Sequence, residues 1–119
     1  MSVSYFVRYD IEIADLPAFL RRYREVHVPL VARWPGLRRM VLHTPLAWRD
    51  PFPVNPGKAV LMAQLEFESE AAMNAAFASR ERAEAREDFE ASPRDADRSA
   101  AHAYRVVRLE HDRANTIAC

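Results

Sequence analysis

Cysteine is almost missing from this sequence: Cys119 is the only one in 119 residues. One thiol can form neither an intramolecular disulfide nor a cysteine metal cluster, so nothing points to an oxidising compartment. Glycine is nearly as scarce, with Gly36 and Gly57 alone. A Gly-rich phosphate loop is therefore excluded, and no serine sits in a Gly-x-Ser-x-Gly context, so nucleotide chemistry and triad hydrolysis lack their usual signatures. Charge of one sign is also missing, because Lys plus Arg is 17 and Asp plus Glu is 17. No nucleic acid and no acidic membrane surface is expected as a partner. No apolar stretch approaches the ~20 residues of a membrane helix. The segment from Met1 to Arg8 lacks the basic region and apolar core of a secretory leader. The expected location is cytoplasmic.

What is present is a chain half hydrophobic, long enough for one domain with a real core. The domain is expected over residues 1–111, with 112–119 as a tail. Residues 3–9 alternate, Val3, Tyr5, Val7 and Tyr9 against Ser4, Phe6 and Arg8, which predicts a strand. Asp15 is a helix N-cap with Pro17 in the first turn. Leu16, Phe19, Leu20, Tyr23 and His27 then mark one face of an amphipathic helix. Pro29 has no N–H for the carbonyl of Glu25, so the helix is expected to end or kink there. A short continuation runs to Trp34 and stops at Pro35-Gly36. A second strand is expected from Leu37 to Thr44. Four prolines (Pro45, Pro51, Pro53, Pro56) and Gly57 make residues 45–57 irregular. A third strand is expected from Lys58 to Phe67, with Val60 and Met62 making the start of its second face apolar. Ser69 caps a helix that buries Ala72, Met73, Ala76 and Phe77. Helical propensity continues from Arg80 to Arg98, interrupted at Ser92-Pro93. A last strand is expected from His102 to Glu110.

The order β-α-β-β-α-β predicts an α+β, ferredoxin-like antiparallel sheet with both helices on one face. The uncovered face still carries apolar residues on at least two strands. Pairing two sheets face to face buries them, so the expected assembly is a homodimer forming a dimeric α/β barrel. The other way to cover that face is the 45–57 loop, which is too proline-rich to pack against a whole sheet.

His27 is the leading candidate for chemistry. A histidine on an apolar helix stripe serves as general base or acid, or as a structural group bonding the carbonyls freed by Pro29. His43 ends the second strand, either at a barrel mouth or as a half-exposed strand end. Trp48 and Phe52 in the proline loop suit a lid over a small apolar ligand, or an anchor to the domain or to a second subunit. Arg8 and Gln64 are polar positions within apolar strands, able to orient a ligand oxygen or to pair structurally, and Trp34 joins them as a pocket candidate. The carboxylates of 81–97, including Glu84, Asp88 and Glu90, alternate with arginines and read as a solvated face with local ion pairs. The histidines lack metal-binding spacing, so no metal is expected, and no cofactor is expected either.

Tyr23-Arg24-Glu25-Val26-His27-Val28-Pro29-Leu30 resembles the signature of the EthD family, in which an aromatic-containing helix runs into His-x-Pro-Leu. Trp34-Pro35-Gly36-Leu37 and the segment Ala83–Ala91 with Asp88-Phe89-Glu90 are similar too. The resemblance implies a dimeric α/β barrel. It also implies kinship with muconolactone isomerases and with cofactor-free monooxygenases, and a place near ethyl tert-butyl ether degradation in which EthD itself has an accessory role. It implies a proton-transfer role for His27. Two readings follow. In one, the protein is a cofactor-independent isomerase, dehydratase or lyase for a small apolar carbonyl or aromatic compound. There His27 shuttles the proton, Arg8, His43 or Gln64 steadies the enolate oxygen, and Trp48 and Phe52 close the pocket. In the other, a non-catalytic ligand-binding or accessory protein keeps His27 as a structural group. Haem binding through His27 is the least supported alternative.

Overall fold

The computed structural model describes residues 2–10 and 13–91, and the backbone alone of 102–108. Strand β1 (Val3–Tyr9) leads to helix α1 (Leu16–Arg22), whose N-cap Asp15 accepts a hydrogen bond from the Ala18 N–H. A π-helical turn, Tyr23–His27, joins α1 to the short α2 (Val28–Val31). Strands β2 (Leu37–His43) and β3 (Leu61–Phe67) follow. Helices α3 (Glu70–Phe77) and α4 (Arg80–Ala91) precede β4 (His102–Arg108). Ser69 caps α3 through its hydroxyl, and the Ser79 hydroxyl accepts from the Arg82 N–H at the start of α4. The expected break at Ser92-Pro93, the stretch to Arg98, the expected end of the last strand at Glu110 and the tail lie outside the described residues.

The sheet order is β2-β3-β1-β4, with every neighbouring pair antiparallel. This is the ferredoxin-like arrangement, with two crossovers laying the helices on one face. The register Val3↔Phe67, Tyr5↔Leu65, Val7↔Ala63 and Tyr9↔Leu61 groups the helix-facing residues. They are buried, and Phe67 and Ala63 are completely so. Helix packing on them is aromatic: Tyr5 meets Phe77 edge-on, and Tyr9 meets Phe19, Tyr23 and Phe89. Among the described residues no helix covers the opposite face. It carries Ser4, Phe6 and Arg8 from β1, Met62, Gln64 and Glu66 from β3, and Arg39, Val41 and His43 from β2. Phe6, Val41 and Met62 remain half-buried apolar residues there, one on each of three strands.

Three expectations need correction. The third strand begins at Leu61, three residues later than Lys58, so Val60 precedes the strand and bonds the Tyr9 carbonyl through its N–H. The second strand stops at His43, one residue before Thr44. Pro29 neither ends the helix nor stands in a free kink. The chain widens into i→i+5 bonding just before it, and the Val28 N–H reaches the Tyr23 carbonyl. This π turn takes up the position where an α-helix would require the N–H that Pro29 lacks, and Pro29 then sits harmlessly in the first turn of α2.

Candidate functional site

The π turn ends on His27, which is 7% exposed. Its Nδ1 lies 3.1 Å from Oδ2 of Asp88 on α4. Arg22, at the end of α1, donates from Nη2 to Oδ1 of the same carboxylate at 2.9 Å. Arg22, Asp88 and His27 thus form a short charged relay joining the first helical segment to α4. Around the imidazole stand aromatic rings, Tyr23 at 4.8 Å and Phe89 at 6.0 Å between centroids. The Tyr23 hydroxyl lies 3.1 Å from that of Tyr9, which ties this layer to the sheet.

The electrostatics set the protonation states. Burial pushes the His27 pKa below its ordinary 6.5, the Asp88 hydrogen bond and charge pull it back up, and the Arg22 charge lowers it again; the net direction is down. Burial raises the Asp88 carboxyl, but the hydrogen bonds from Arg22 and His27 and their charges outweigh it, and its pKa falls below the ordinary value. Asp88 is therefore an anion at neutral pH and only accepts hydrogen bonds. A neutral His27 facing it carries its proton on Nδ1 and presents Nε2 as the basic nitrogen.

Two expectations about this region change. His27 does not bond the carbonyls freed by Pro29; its partner is the Asp88 carboxylate, and the π turn has already rearranged the backbone there. Asp88 does not belong to a solvated ion-pair face. Two other carboxylates of α4 do form local ion pairs, Glu84 with Arg33 and Arg80, and Glu90 with Arg86. Asp88 differs because it lies three residues after buried Ala85 and beside buried Phe89, on the inward stripe of α4. That i, i+3, i+4 spacing was the available signal.

The other candidates lie elsewhere. His43 Nε2 is 3.2 Å from Gln64 Oε1, and Gln64 Nε2 donates to Ser4 Oγ at 3.3 Å, a polar chain across the helix-free face. Arg8 projects on that same face, where its Nε donates to Asp10 at 2.8 Å. These three residues are on the opposite side of the sheet from His27, so within one chain none of them reaches a group activated by His27. Trp34 is a core residue, 8% exposed, packed perpendicular to Phe77, and its buried Nε1 has no hydrogen-bond partner among the described residues. Trp48 and Phe52 line an open hollow of about 610 Å³ formed by residues 45–59 alone. His27 lines neither this hollow nor the one beside Leu16, Leu20 and Arg24. Among the described residues no group of three or more His, Cys, Asp or Glu side chains is placed to hold a metal ion. No helix among them is long and apolar enough to cross a membrane.

The model of the EthD domain matches residues 13–91, a stretch that contains Arg22, His27 and Asp88. The chain belongs to the EthD family. Among solved structures it is similar to an EthD family protein from Bacillus halodurans, with 20% identity and a TM-score of 0.71 over 91% of this chain and 98% of that one. It is similar to a dimeric ferredoxin-like protein of unknown function from Thermobifida fusca, with 13% identity and a TM-score of 0.64 over 92% of each chain. It is also similar to SnoaB, a cofactor-independent oxygenase from Streptomyces nogalater, with 15% identity and a TM-score of 0.59 over 93% and 95%. At these identities the likeness establishes the ferredoxin-like fold. No curated protein matches the sequence.

Proposed function

We propose that this EthD-family protein is a homodimeric, cofactor-independent enzyme that removes a proton from carbon next to a carbonyl in a small apolar compound. His27 is the base. The observation that carries this reading is the 3.1 Å contact between His27 Nδ1 and an Asp88 carboxylate itself fixed by Arg22. The carboxylate holds the Nδ1–H tautomer, orients the ring and stabilises the imidazolium that forms when Nε2 accepts a proton. Tyr23 and Phe89, both buried, pack beside the ring and keep bulk water from it. The carbanion made in this step is the common starting point for isomerisation, dehydration and lyase chemistry. Chemistry without a cofactor is also the activity named for the structurally similar SnoaB, a cofactor-independent oxygenase. The homodimer, formed by the helix-free faces, is supported by Phe6, Val41 and Met62 on that face and by the dimeric state named for the Thermobifida fusca protein.

A second reading is favoured by one observation: the hollow lined by Trp48 and Phe52 lies away from His27. In it the protein binds an apolar ligand without turning it over. Deuterium uptake separates the two. Incubated in D2O with a panel of apolar γ-lactones and aryl ketones, the wild-type protein should exchange the α-proton of at least one compound, and His27→Gln should lose that exchange. Exchange unchanged in His27→Gln would remove the enzyme reading as stated.

A further inference from the structure

Between His43 and Leu61 the chain forms an arm with no helix or strand. Its apolar side chains point outward: Leu46 is 82% exposed, Phe52 73%, Trp48 54% and Val54 49%. Two aromatic and two aliphatic side chains of this kind together present on the order of 500 Å² of apolar surface, within the range of the largest apolar patch of a typical monomer, which is often an interaction site. The arm is nevertheless shaped. The Asp50 carboxylate accepts hydrogen bonds from the Phe52 N–H at 2.9 Å and from Trp48 Nε1 at 3.4 Å. Asn55 Oδ1 accepts from the Gly57 N–H at 2.9 Å, and Gly57 takes φ +78°, a conformation suited to glycine. Four prolines restrict the rest. Local turns therefore fix an apolar arm that its own domain does not cover, and little conformational entropy remains to be lost when it packs.

We infer that this arm is an interface element that packs on a second copy of this chain. Three features select that occupant. The arm leaves β2 at His43 and rejoins the sheet just before Met62, and these two residues pair on the helix-free face. Both ends of the arm therefore join the edge of the face that carries Phe6, Val41 and Met62, the face proposed for the partner sheet; the inference rests on that dimer. Its charges, Arg49 and Lys58 against Asp50, nearly cancel, which gives no preference for a strongly acidic or basic partner. A two-fold pair also supplies each arm with an identical neighbour, and an added area of this size is a large part of the ~800 Å² that each side of a stable interface buries. The partner's arm thus closes the end of the barrel nearest His43, and that end is incomplete in one chain.

The test combines dimer affinity with Trp48 fluorescence. Sedimentation of the wild type and of a Leu46→Ser/Trp48→Ser/Phe52→Ser triple variant gives the two dissociation constants, with circular dichroism confirming that the variant is folded. The difference between wild-type and Trp48→Phe emission isolates Trp48 from Trp34. The expected result is a dissociation constant at least about tenfold higher in the triple variant, with Trp48 emission blue-shifted in the dimer and moving red on dilution. A wild-type dimer in which Trp48 emits as a fully exposed indole, and which the triple variant does not weaken, overturns the arm's role and leaves the paired sheets standing. A wild type that is monomeric at every concentration overturns both.

Discussion

Nδ1 of His27 and Oδ2 of Asp88 lie 3.1 Å apart, although the residues are 61 positions apart in the chain. One comes from the π turn before Pro29, the other from the inward stripe of α4. This contact makes the charge of Asp88 a local control on the basicity of His27. Burial lowers the histidine pKa, Asp88 raises it and Arg22 lowers it. Asp88→Asn should therefore lower the His27 pKa further, while Arg22→Gln should raise it. Imidazole NMR titration reads both shifts, and a shift of the same sign in the two variants would break the relay as described.

Stability should fall as the solution is acidified below about neutrality. His27 titrates below 6.5 in the folded chain, so between that lowered value and 6.5 the unfolded state binds more protons. Its neutral form thus contributes stability that is complete above 6.5 and declines as pH falls toward the folded pKa. Asp88, also lowered, acts in a second window below 3.8. Thermal melts from pH 7 to pH 5 should show a falling midpoint in the wild type and a shallower fall in His27→Gln. Parallel slopes would mean that His27 ionises equally in both states.

The two faces of the sheet should respond differently to substitution. Phe67 is completely buried under the helices, and Phe67→Ala should cost about 3–5 kcal/mol of folding stability. Val41 sits half-buried on the helix-free face, and Val41→Glu should leave the fold intact while separating the subunits of the proposed dimer. Denaturation and sedimentation on both variants check the contrast; a Val41→Glu protein that remains a tight dimer would show that the sheets do not meet there.

The Tyr9 and Tyr23 hydroxyls are buried at 3.1 Å from each other, between the sheet and the π turn. Tyr23→Phe removes one of them and should cost about 1 kcal/mol by chemical denaturation. A loss of several kcal/mol would indicate that the hydroxyl pair organises more of this layer than the bond between the two hydroxyls implies.

Much of this fold was legible because it is periodic. Alternation in Val3–Tyr9 and the Leu16, Phe19, Leu20, Tyr23, His27 stripe specify element type and facing directly, and the EthD-like His-x-Pro-Leu segment lies where the family match includes it. The π turn was not legible. Pro29 announces only that an α-helical bond is missing, and both a kink and a widened turn satisfy that condition. Asp88 was hidden among arginines and glutamates, because local charge alternation looks the same whether a carboxylate faces water or a histidine on another helix. The separation of His27 from Gln64 and His43 follows from register and from which face the helices cover. Both are tertiary facts, and a single strand's alternation is symmetric with respect to them.

In the proposed function His27 removes the substrate proton and Asp88 tunes its basicity. The most direct measurement is the pH dependence of deuterium uptake at the α-carbon of an exchanging lactone or ketone, taken for wild type, Asp88→Asn and His27→Gln. A positioned base of this kind typically contributes 10²–10⁴-fold, so His27→Gln should lose about that factor. The wild-type rate should rise through an inflection below pH 6.5 that coincides with the NMR titration of His27, and Asp88→Asn should move both downward together. An inflection that stays fixed in Asp88→Asn while the His27 titration moves, or an undiminished rate in His27→Gln, would show that His27 is not the base.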